Sequence, residues 1–195
     1  MDAKMKGMIM SGMMALCLIL GIMAALGNTW LVPEDDEDMD GGYSLTAMHM
    51  DMEEDGMCDL MVGMMDGGEC DGSVLTWSFS DACETTEEDD PCDMATGGMM
   101  GTIGMWAGIV CALMVTLMLV LPMAGIDAMD AMPDMGKMIT SWGAGGLMLL
   151  GIIGWWMMLP SDGEMAMGMS GMMGIGAALL GLAAAAMDQF MPADE

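Results

Sequence analysis

Four long uncharged stretches divide the chain, and polar segments of very different length separate them. The stretches cover residues 7–27, 94–126, 138–161 and 165–187. Each contains at least the roughly 20 residues that a helix needs to cross about 30 Å of hydrocarbon. Apolar runs of this length exclude the alternating pattern of β-barrel strands, so they predict four transmembrane helices.

The predicted helices fit into a simple domain plan. We place them at residues 7–27, 99–121, 138–159 and 165–187. The second run is longer than a span requires, and we end its helix before Pro122, because proline does not continue a helix comfortably. The fold class is therefore a membrane all-α protein, a four-helix transmembrane bundle. Residues 28–98, inserted between helices 1 and 2, form a small separate domain.

The three basic residues predict the orientation of the chain. Lys4 and Lys6 precede helix 1, and Lys137 lies between helices 2 and 3. Short connections that carry Lys or Arg stay in the cytoplasm. We therefore expect a multi-pass protein of the cell membrane, with both termini cytoplasmic and residues 28–98 extracellular. In this orientation Trp30, Trp155 and Trp156 would meet at the outer membrane interface, which favours amphipathic rings.

A cleavable signal peptide is the alternative interpretation of the N-terminal segment. Lys4 and Lys6 precede an apolar run that ends in Ala25-Leu-Gly27. This run is longer than the roughly 7–15 apolar residues of a typical signal peptide, which favours a retained helix. Cleavage would leave three helices and an extracellular N-terminus.

The predicted extracellular domain is strongly acidic. Residues 28–98 contain 21 of the 30 acidic residues and no Lys or Arg, and the formal net charge of the whole chain is −27. This charge excludes a basic nucleic-acid-binding face. Short, partly alternating segments at 43–50, 57–64 and 73–79 predict three or four strands. The acidic run at 84–90 predicts a solvated loop.

The six cysteines fall into two groups. Cys17 and Cys111 lie inside predicted helices, where a thiol packs as a small apolar group. The other four, Cys58, Cys70, Cys83 and Cys92, lie in the acidic domain. In an oxidising environment four cysteines predict two disulfides with three possible connectivities, and we favour Cys58–Cys70 with Cys83–Cys92. A metal site built from these thiols is the weaker alternative, because there is no CxxC pair.

Two segments of the acidic domain are candidate metal sites. Asp36, Asp38 and Asp40 alternate and precede Gly41, as in the first half of a calcium loop. Position twelve of such a loop is Ala47, so an EF-hand is excluded and a looser calcium site is the remaining hypothesis. The only histidine, His49, lies among methionines in Met48-His-Met-Asp-Met52, a donor set that suits copper.

The order of these features resembles that of claudin-like tetraspan proteins. The residues that carry the resemblance are Trp30, Gly56 and the Cys58/Cys70 pair, within a long outer loop that follows helix 1. The family's Gly-Leu-Trp triplet is missing, because Met57 and Cys58 follow Gly56. The resemblance implies a β-sheet pinned by one disulfide and carried on a left-handed four-helix bundle. It also implies work in cell–cell contact, in paracellular permeability or as an accessory subunit.

The predicted spans contain no Asp, Glu, Lys, Arg or His, which argues against an ion-coupled transporter. No hydrolase, P-loop or dinucleotide motif appears, and one histidine cannot form a two-histidine metal motif. We therefore expect a non-enzymatic membrane protein with a structural, adhesion or accessory role, acting through its acidic domain and without a cofactor other than a possible calcium ion. The alternative is a calcium- or copper-handling membrane protein. Beyond the lipid bilayer, the expected partners are other membrane proteins or a second copy, since small residues recur at helical spacing, as at Gly104 and Gly108.

Overall fold

A computed structural model of the chain describes residues 3–33, 41–52, 57–63, 68–85, 89–122, 125, 133–160 and 165–191. Within these residues the chain forms four long helices, two short helices and six short strands. In chain order the elements are α1 (Ala3–Leu26), β1 (Leu31–Pro33), β2 (Gly41–Tyr43), β3 (Ala47–Asp51), α2 (Met57–Val62), β4 (Gly68–Asp71), β5 (Val74–Ser78), α3 (Phe79–Thr85), α4 (Asp89–Val120), α5 (Asp134–Met157), β6 (Met165–Met167) and α6 (Met169–Phe190).

The chain divides into two compact units. The helical unit comprises Met1–Ala25, Ile103–Ile152 and Met173–Glu195. The sheet unit comprises Leu26–Thr102 and Ile153–Met172. The long helices α4, α5 and α6 therefore each contribute residues to both units, while the strands all belong to the sheet unit.

Small side chains let the helices of the helical unit pack closely. Gly145 of α5 and Gly181 of α6 face each other, and a Cβ atom added at Gly181 would lie 2.8 Å from the Cα of Gly145. Likewise, a Cβ atom added at Gly104 of α4 would lie 2.5 Å from the Cα of Gly151. Residues without a Cβ atom permit this approach of one helix backbone to another. The buried positions of α1 in this unit follow a helical spacing, at Met10, Met14, Cys17, Gly21 and Ala24.

All four long helices are long and apolar enough to cross a membrane. Their outward sides carry large apolar residues, and the relative exposure is 54% for Ile19, 62% for Ile103, 66% for Leu150 and 55% for Leu179. Exposed apolar side chains on every long helix would be unfavourable in water but suit contact with lipid. The helical unit is thus compatible with a multi-pass membrane protein.

The sheet unit contains one antiparallel six-stranded sheet in the order β4-β5-β3-β2-β1-β6. The longest pairing joins β3 to β5, with Ala47 opposite Ser78 and Asp51 opposite Val74. Strand β6 comes from the connection between α5 and α6 and pairs with β1, with Val32 opposite Ala166. The sheet is therefore built from two separate connections, whereas the sequence predicted that it would come from residues 28–98 alone.

Several predicted boundaries are wrong. Helix 4 was predicted to begin at residue 165, but residues 165–167 bond to β1 as a strand and α6 begins at Met169. The predicted strand at 57–64 is instead the short helix α2, in which Cys58 is buried while Met57 and Leu60 are exposed. A three-residue spacing of apolar side chains, as at Met57 and Leu60, fits a helical turn better than the two-residue period of a strand, and methionine and leucine favour helices.

The other predicted segments of the acidic domain change in extent. The segment 43–50 is divided between β2 and β3, and 73–79 shortens to β5 because Phe79 begins α3. The predicted loop at 84–90 is bordered by helix on both sides, since α3 continues to Thr85 and α4 begins at Asp89.

Two tryptophans form the centre of the sheet unit. Trp30 is 0% exposed and Trp155 is 1% exposed, and their rings meet edge to face with centroids 5.2 Å apart. Trp156 lies next to this pair, at 6.4 Å from the ring of Trp155, and is 47% exposed. The three rings thus gather as predicted, and two of them are buried inside the protein.

Candidate functional site: the acidic sheet face

The sheet brings three carboxylates to one face. Strand register aligns His49 of β3 with Thr76 of β5 and Thr76 with Glu69 of β4. Two residues further along, Val74 lies between Asp51 and Asp71. Because side chains two positions apart point to the same side of a strand, all these residues share one face. We call Asp51, Glu69 and Asp71 the acidic sheet face, and all three are exposed.

The spacing of these carboxylates determines what the face can bind. Asp51 and Asp71 are separated by one intervening strand, which places their backbones about 10 Å apart. Calcium–oxygen bonds are about 2.4 Å long, so chelation would require these side chains to converge on one point. Among the residues that the structure describes, no group of three or more His, Cys, Asp or Glu side chains could hold a metal ion. The face therefore provides a diffuse negative field that attracts cations and basic surfaces.

Both disulfides brace the sheet unit in the pairing favoured from the sequence. Cys58 of α2 bonds to Cys70 of β4, with Cα atoms 6.0 Å apart. Cys83 of α3 bonds to Cys92 of α4, with Cα atoms 4.6 Å apart. Closing loops of this size contributes about 3 kcal/mol each in the chain-entropy treatment. The disulfides thus hold a like-charged surface in one conformation.

One buried serine forms hydrogen bonds to the backbone of the turn between β2 and β3. Ser44 Oγ accepts from the backbone N–H of Ala47 at 3.0 Å and also donates to the Ala47 carbonyl at 3.0 Å. Leu45 in the same turn packs on α4, where its backbone meets Gly98 and its side chain meets Gly101. A short polar side chain and two glycines therefore fix the end of the strand pair that carries His49. Sequence reasoning missed this turn, although serine before a tight turn is a recognisable signal.

The candidate metal residues have different outcomes. Asp36, Asp38 and Asp40 lie outside the described residues, so the calcium hypothesis stays a prediction. The copper hypothesis requires His49 to converge with its neighbouring methionines. Strand alternation instead places Met48 and Met50 on the opposite face from His49. The structure therefore does not bring these three side chains together.

The imidazole of His49 is half-buried and hydrogen-bonded. Its Nδ1 lies 3.1 Å from Thr76 Oγ1, in the cross-strand row described above. Burial lowers the pKa of His49 below its usual value near 6.5, because desolvation disfavours the charged imidazolium. Glu69, the acid in the same row, lies one strand further away. The geometry therefore favours a neutral imidazole at physiological pH. Burial also raises the pKa of the Tyr43 hydroxyl.

His49 gives a pH dependence with a definite sign. Because its pKa is lower in the folded protein than in the unfolded chain, the unfolded state binds the proton more tightly. Its contribution to stability is therefore complete above about pH 6.5 and decreases as the pH falls towards the folded pKa. Since the chain has a single histidine, its NMR ring signal can be followed alone. We expect a midpoint below 6.5 in the folded protein, and a value near 6.5 after unfolding.

The Thr76→Val variant is the control for this titration. It keeps the shape of the side chain and removes the hydroxyl that bonds His49. We expect the midpoint to stay below 6.5, because burial is its cause. A midpoint above 6.5 in the folded wild type would show that the field of the carboxylates outweighs burial.

The chain matches no protein-family model, and none of the curated proteins matches it. Its function must therefore be argued from the two units themselves.

Proposed function

We propose that this chain is a non-enzymatic multi-pass membrane protein with cytoplasmic termini. Its sheet unit lies outside the membrane and acts as a structural, adhesion or accessory element through the acidic sheet face. This role agrees with what the claudin-like resemblance implies. The partner has a basic outer surface, since the face offers separated carboxylates rather than a chelating site.

The pairing of β1 with β6 is the observation that carries the proposal. Leu31 lies opposite Met167 and Pro33 opposite Met165, so the connection after α1 and the connection between α5 and α6 join in one sheet. These two connections are the ones that the lysine-based topology places on the outer side. Two predicted spans, α4 and α5, lie between these connections. An even number of spans returns the chain to the same side of the membrane. The hydrogen-bonded sheet thus supports placing both connections on one side of the membrane, and the lysines supply the choice of the outer side.

Contacts between the start of α1 and the end of α6 support the same topology. Lys6 Nζ, near the start of α1, lies 3.4 Å from Asp188 Oδ1, near the end of α6. The same ammonium donates to the Asp188 carbonyl at 3.0 Å. The start of α1 and the end of α6 therefore lie together, which agrees with both termini being on the same side of the membrane. Trp142 of α5 adds a contact there, because its Nε1 donates to Gln189 Oε1 at 2.9 Å.

Cross-linking in native membranes tests the proposed role. The variant Asp51→Asn/Glu69→Gln/Asp71→Asn removes the three charges of the acidic sheet face. The matched control Asp81→Asn/Glu84→Gln/Asp93→Asn removes three exposed charges of α3 and α4 instead. We expect the wild type and the control to form the same cross-linked complexes with another membrane protein. The face variant should lose them, and high salt should weaken them in the wild type.

Two results would count against this role. If both variants keep every complex, the acidic sheet face is not the contact surface. The alternative function, cation handling, is supported by the field of the same face and predicts ion flux into reconstituted vesicles. Flux that exceeds that of protein-free vesicles, and that falls in the face variant, would favour the alternative.

A further inference from the structure

A cavity of about 340 Å³ lies in the helical unit and combines cationic with apolar walls. All four long helices contribute to it. Its polar side is formed by residues of α1, α5 and α6, and its apolar side mainly by residues of α1 and α4. The polar residues are Lys6, Lys137, Ser141 and Asp188, and the apolar ones include Met10, Val115, Met118 and Leu119.

Ser141 is the buried polar group that needs a partner in this cavity. Its side chain is 7% exposed, and its Oγ has no hydrogen-bond partner among the residues that the structure describes. Other hydroxyls in these helices bond back to their own backbone, as Thr140 does to the Gly136 carbonyl at 2.8 Å. Leaving a buried hydroxyl unsatisfied costs about 1–3 kcal/mol, so such a group calls for a ligand or another explanation.

Ser141 and its neighbours also line a second cavity. This one has a volume of about 250 Å³ and shares Lys137, Ser141 and Asp188 with the first. Lys137 and Ser141 are four residues apart on α5, so their side chains lie on the same face of the helix. The hydroxyl and the ammonium are therefore placed to act on one ligand.

The lysines of the cavity differ in how far they are already paired. Lys6 has a side chain only 13% exposed and bonds to Asp188, as described above. Within the described residues, the ion pair of Lys137 is a long contact of 4.0 Å to the fully exposed carboxylate of Asp134. An ammonium carries three donors, so Lys137 keeps the capacity to bind an anion, and Lys6 keeps part of that capacity. These are two of the three cationic side chains in the whole protein.

We infer that this cavity binds the headgroup phosphate of an anionic phospholipid from the cytoplasmic leaflet. Phosphate oxygens would accept from Lys137, Ser141 and Lys6, while the apolar wall of Met10 and Met118 would contact the acyl region. Basic pockets between membrane helices bind anionic headgroups in this way. The apolar wall favours the lipid over free inorganic phosphate, which shares the same oxygen chemistry. The assignment to the cytoplasmic leaflet rests on the topology proposed above.

Native mass spectrometry of the delipidated full-length protein in detergent tests the inference. Phosphatidylglycerol, phosphatidylcholine with identical chains, and inorganic phosphate are added in separate arms. We expect phosphatidylglycerol to bind at least tenfold more tightly than phosphatidylcholine. Lys137→Gln and Ser141→Ala should each weaken its binding about tenfold, the effect of losing a hydrogen bond to a charged group. Lys137→Arg should retain most of the binding.

Thermal unfolding of the same delipidated proteins separates a binding role of Ser141 from a structural one. Because the hydroxyl has no protein partner in the described part of the chain, Ser141→Ala should leave the melting temperature unchanged or raise it. Ser170→Ala is the matched control. Ser170 is equally buried, but its Oγ lies 3.1 Å from Thr29 Oγ1, so this variant should melt at a lower temperature. It should bind phosphatidylglycerol as the wild type does.

Each other outcome overturns the inference. Equal binding of phosphatidylglycerol by the wild type, Lys137→Gln and Ser141→Ala would remove the cavity as the site. Stabilisation by inorganic phosphate equal to that by phosphatidylglycerol would show a site for a free anion. Binding in detergent does not depend on which side of a membrane the cavity faces. A wrong topology would therefore leave these results intact and would appear only in side-specific labelling.

Discussion

Replacing Gly145 by Ala is expected to destabilise the helical unit by about 3 kcal/mol, at the upper end of ordinary overpacking. A Cβ atom at this position would collide with the Ala178 carbonyl and would lie 2.5 Å from the backbone nitrogen of Leu182. Both are backbone atoms of α6, so the contact cannot be relieved by a change of rotamer. The two helices must separate. Unfolding in a denaturing detergent, followed by circular dichroism, measures the difference.

Gly146→Ala is the matched control for this prediction. The two glycines are neighbours on α5, but a Cβ atom at Gly146 would have no neighbour within 4 Å. The control should be neutral or stabilising by up to about 1 kcal/mol, because alanine favours the helix over glycine. Equal effects of the two substitutions would show that α5 and α6 do not cross at Gly145.

Replacing Trp30 by Ala should have the largest effect on the sheet unit, a loss of about 3–5 kcal/mol. Trp30 is fully buried, and its backbone joins two strands: its N–H donates to the Tyr43 carbonyl at 2.7 Å, and its carbonyl accepts from Gly168 at 2.9 Å. The substitution also removes the edge-to-face contact with Trp155, which contributes about 0.5–1.5 kcal/mol beyond burial. Protease resistance of the non-reduced protein and its unfolding curve report the loss.

Trp156→Ala provides the comparison for Trp30. It removes a side chain of the same size that is 47% exposed, so the cost should be a small fraction of that at Trp30. A similar loss at both positions would mean that Trp30 is not the central core residue of the sheet unit.

The long helices could be predicted from the sequence because their signal is local. Residues 7–27 carry no charge, and an uncharged apolar run of that length is typical of a membrane-spanning helix. Their packing could not be predicted in the same detail. Spacing identified Gly104 and Gly108, and both do meet α5. Small residues permit a close approach between helices, but their spacing does not specify which neighbouring helix they contact.

The sheet was harder to predict because its strands are short and some paired strands are far apart in the sequence. Strand β6 has three residues, and only its bonds to β1 distinguish it from the first turn of α6. The segment Met57–Val62 became a helix for a similar reason, since six residues with mixed burial fit either structure. The sequence left three cysteine pairings open, and the structure contains the favoured one, between cysteines that are neighbours in the sequence.

The candidate sites show the same limit. The acidic run and the single histidine are visible in the sequence, but the separation of Asp51, Glu69 and Asp71 depends on strand register. Ser141 carries no sequence signal at all, because a serine in an apolar helix is ordinary. Ser141 is notable only in the folded helices, where its hydroxyl is buried without a hydrogen-bond partner in the described part of the chain and lines a cavity together with Lys137.

Side-specific labelling of lysines tests the proposed topology most directly. Intact cells and permeabilised cells are treated with a membrane-impermeant amine reagent, and peptides cleaved at acidic residues are analysed by mass spectrometry. The variant Glu84→Lys places one amine on the exposed surface of the sheet unit and serves as the positive control. We predict that intact cells modify residue 84 but not Lys137, and that permeabilisation exposes Lys137. Modification of Lys137 in intact cells would contradict the account.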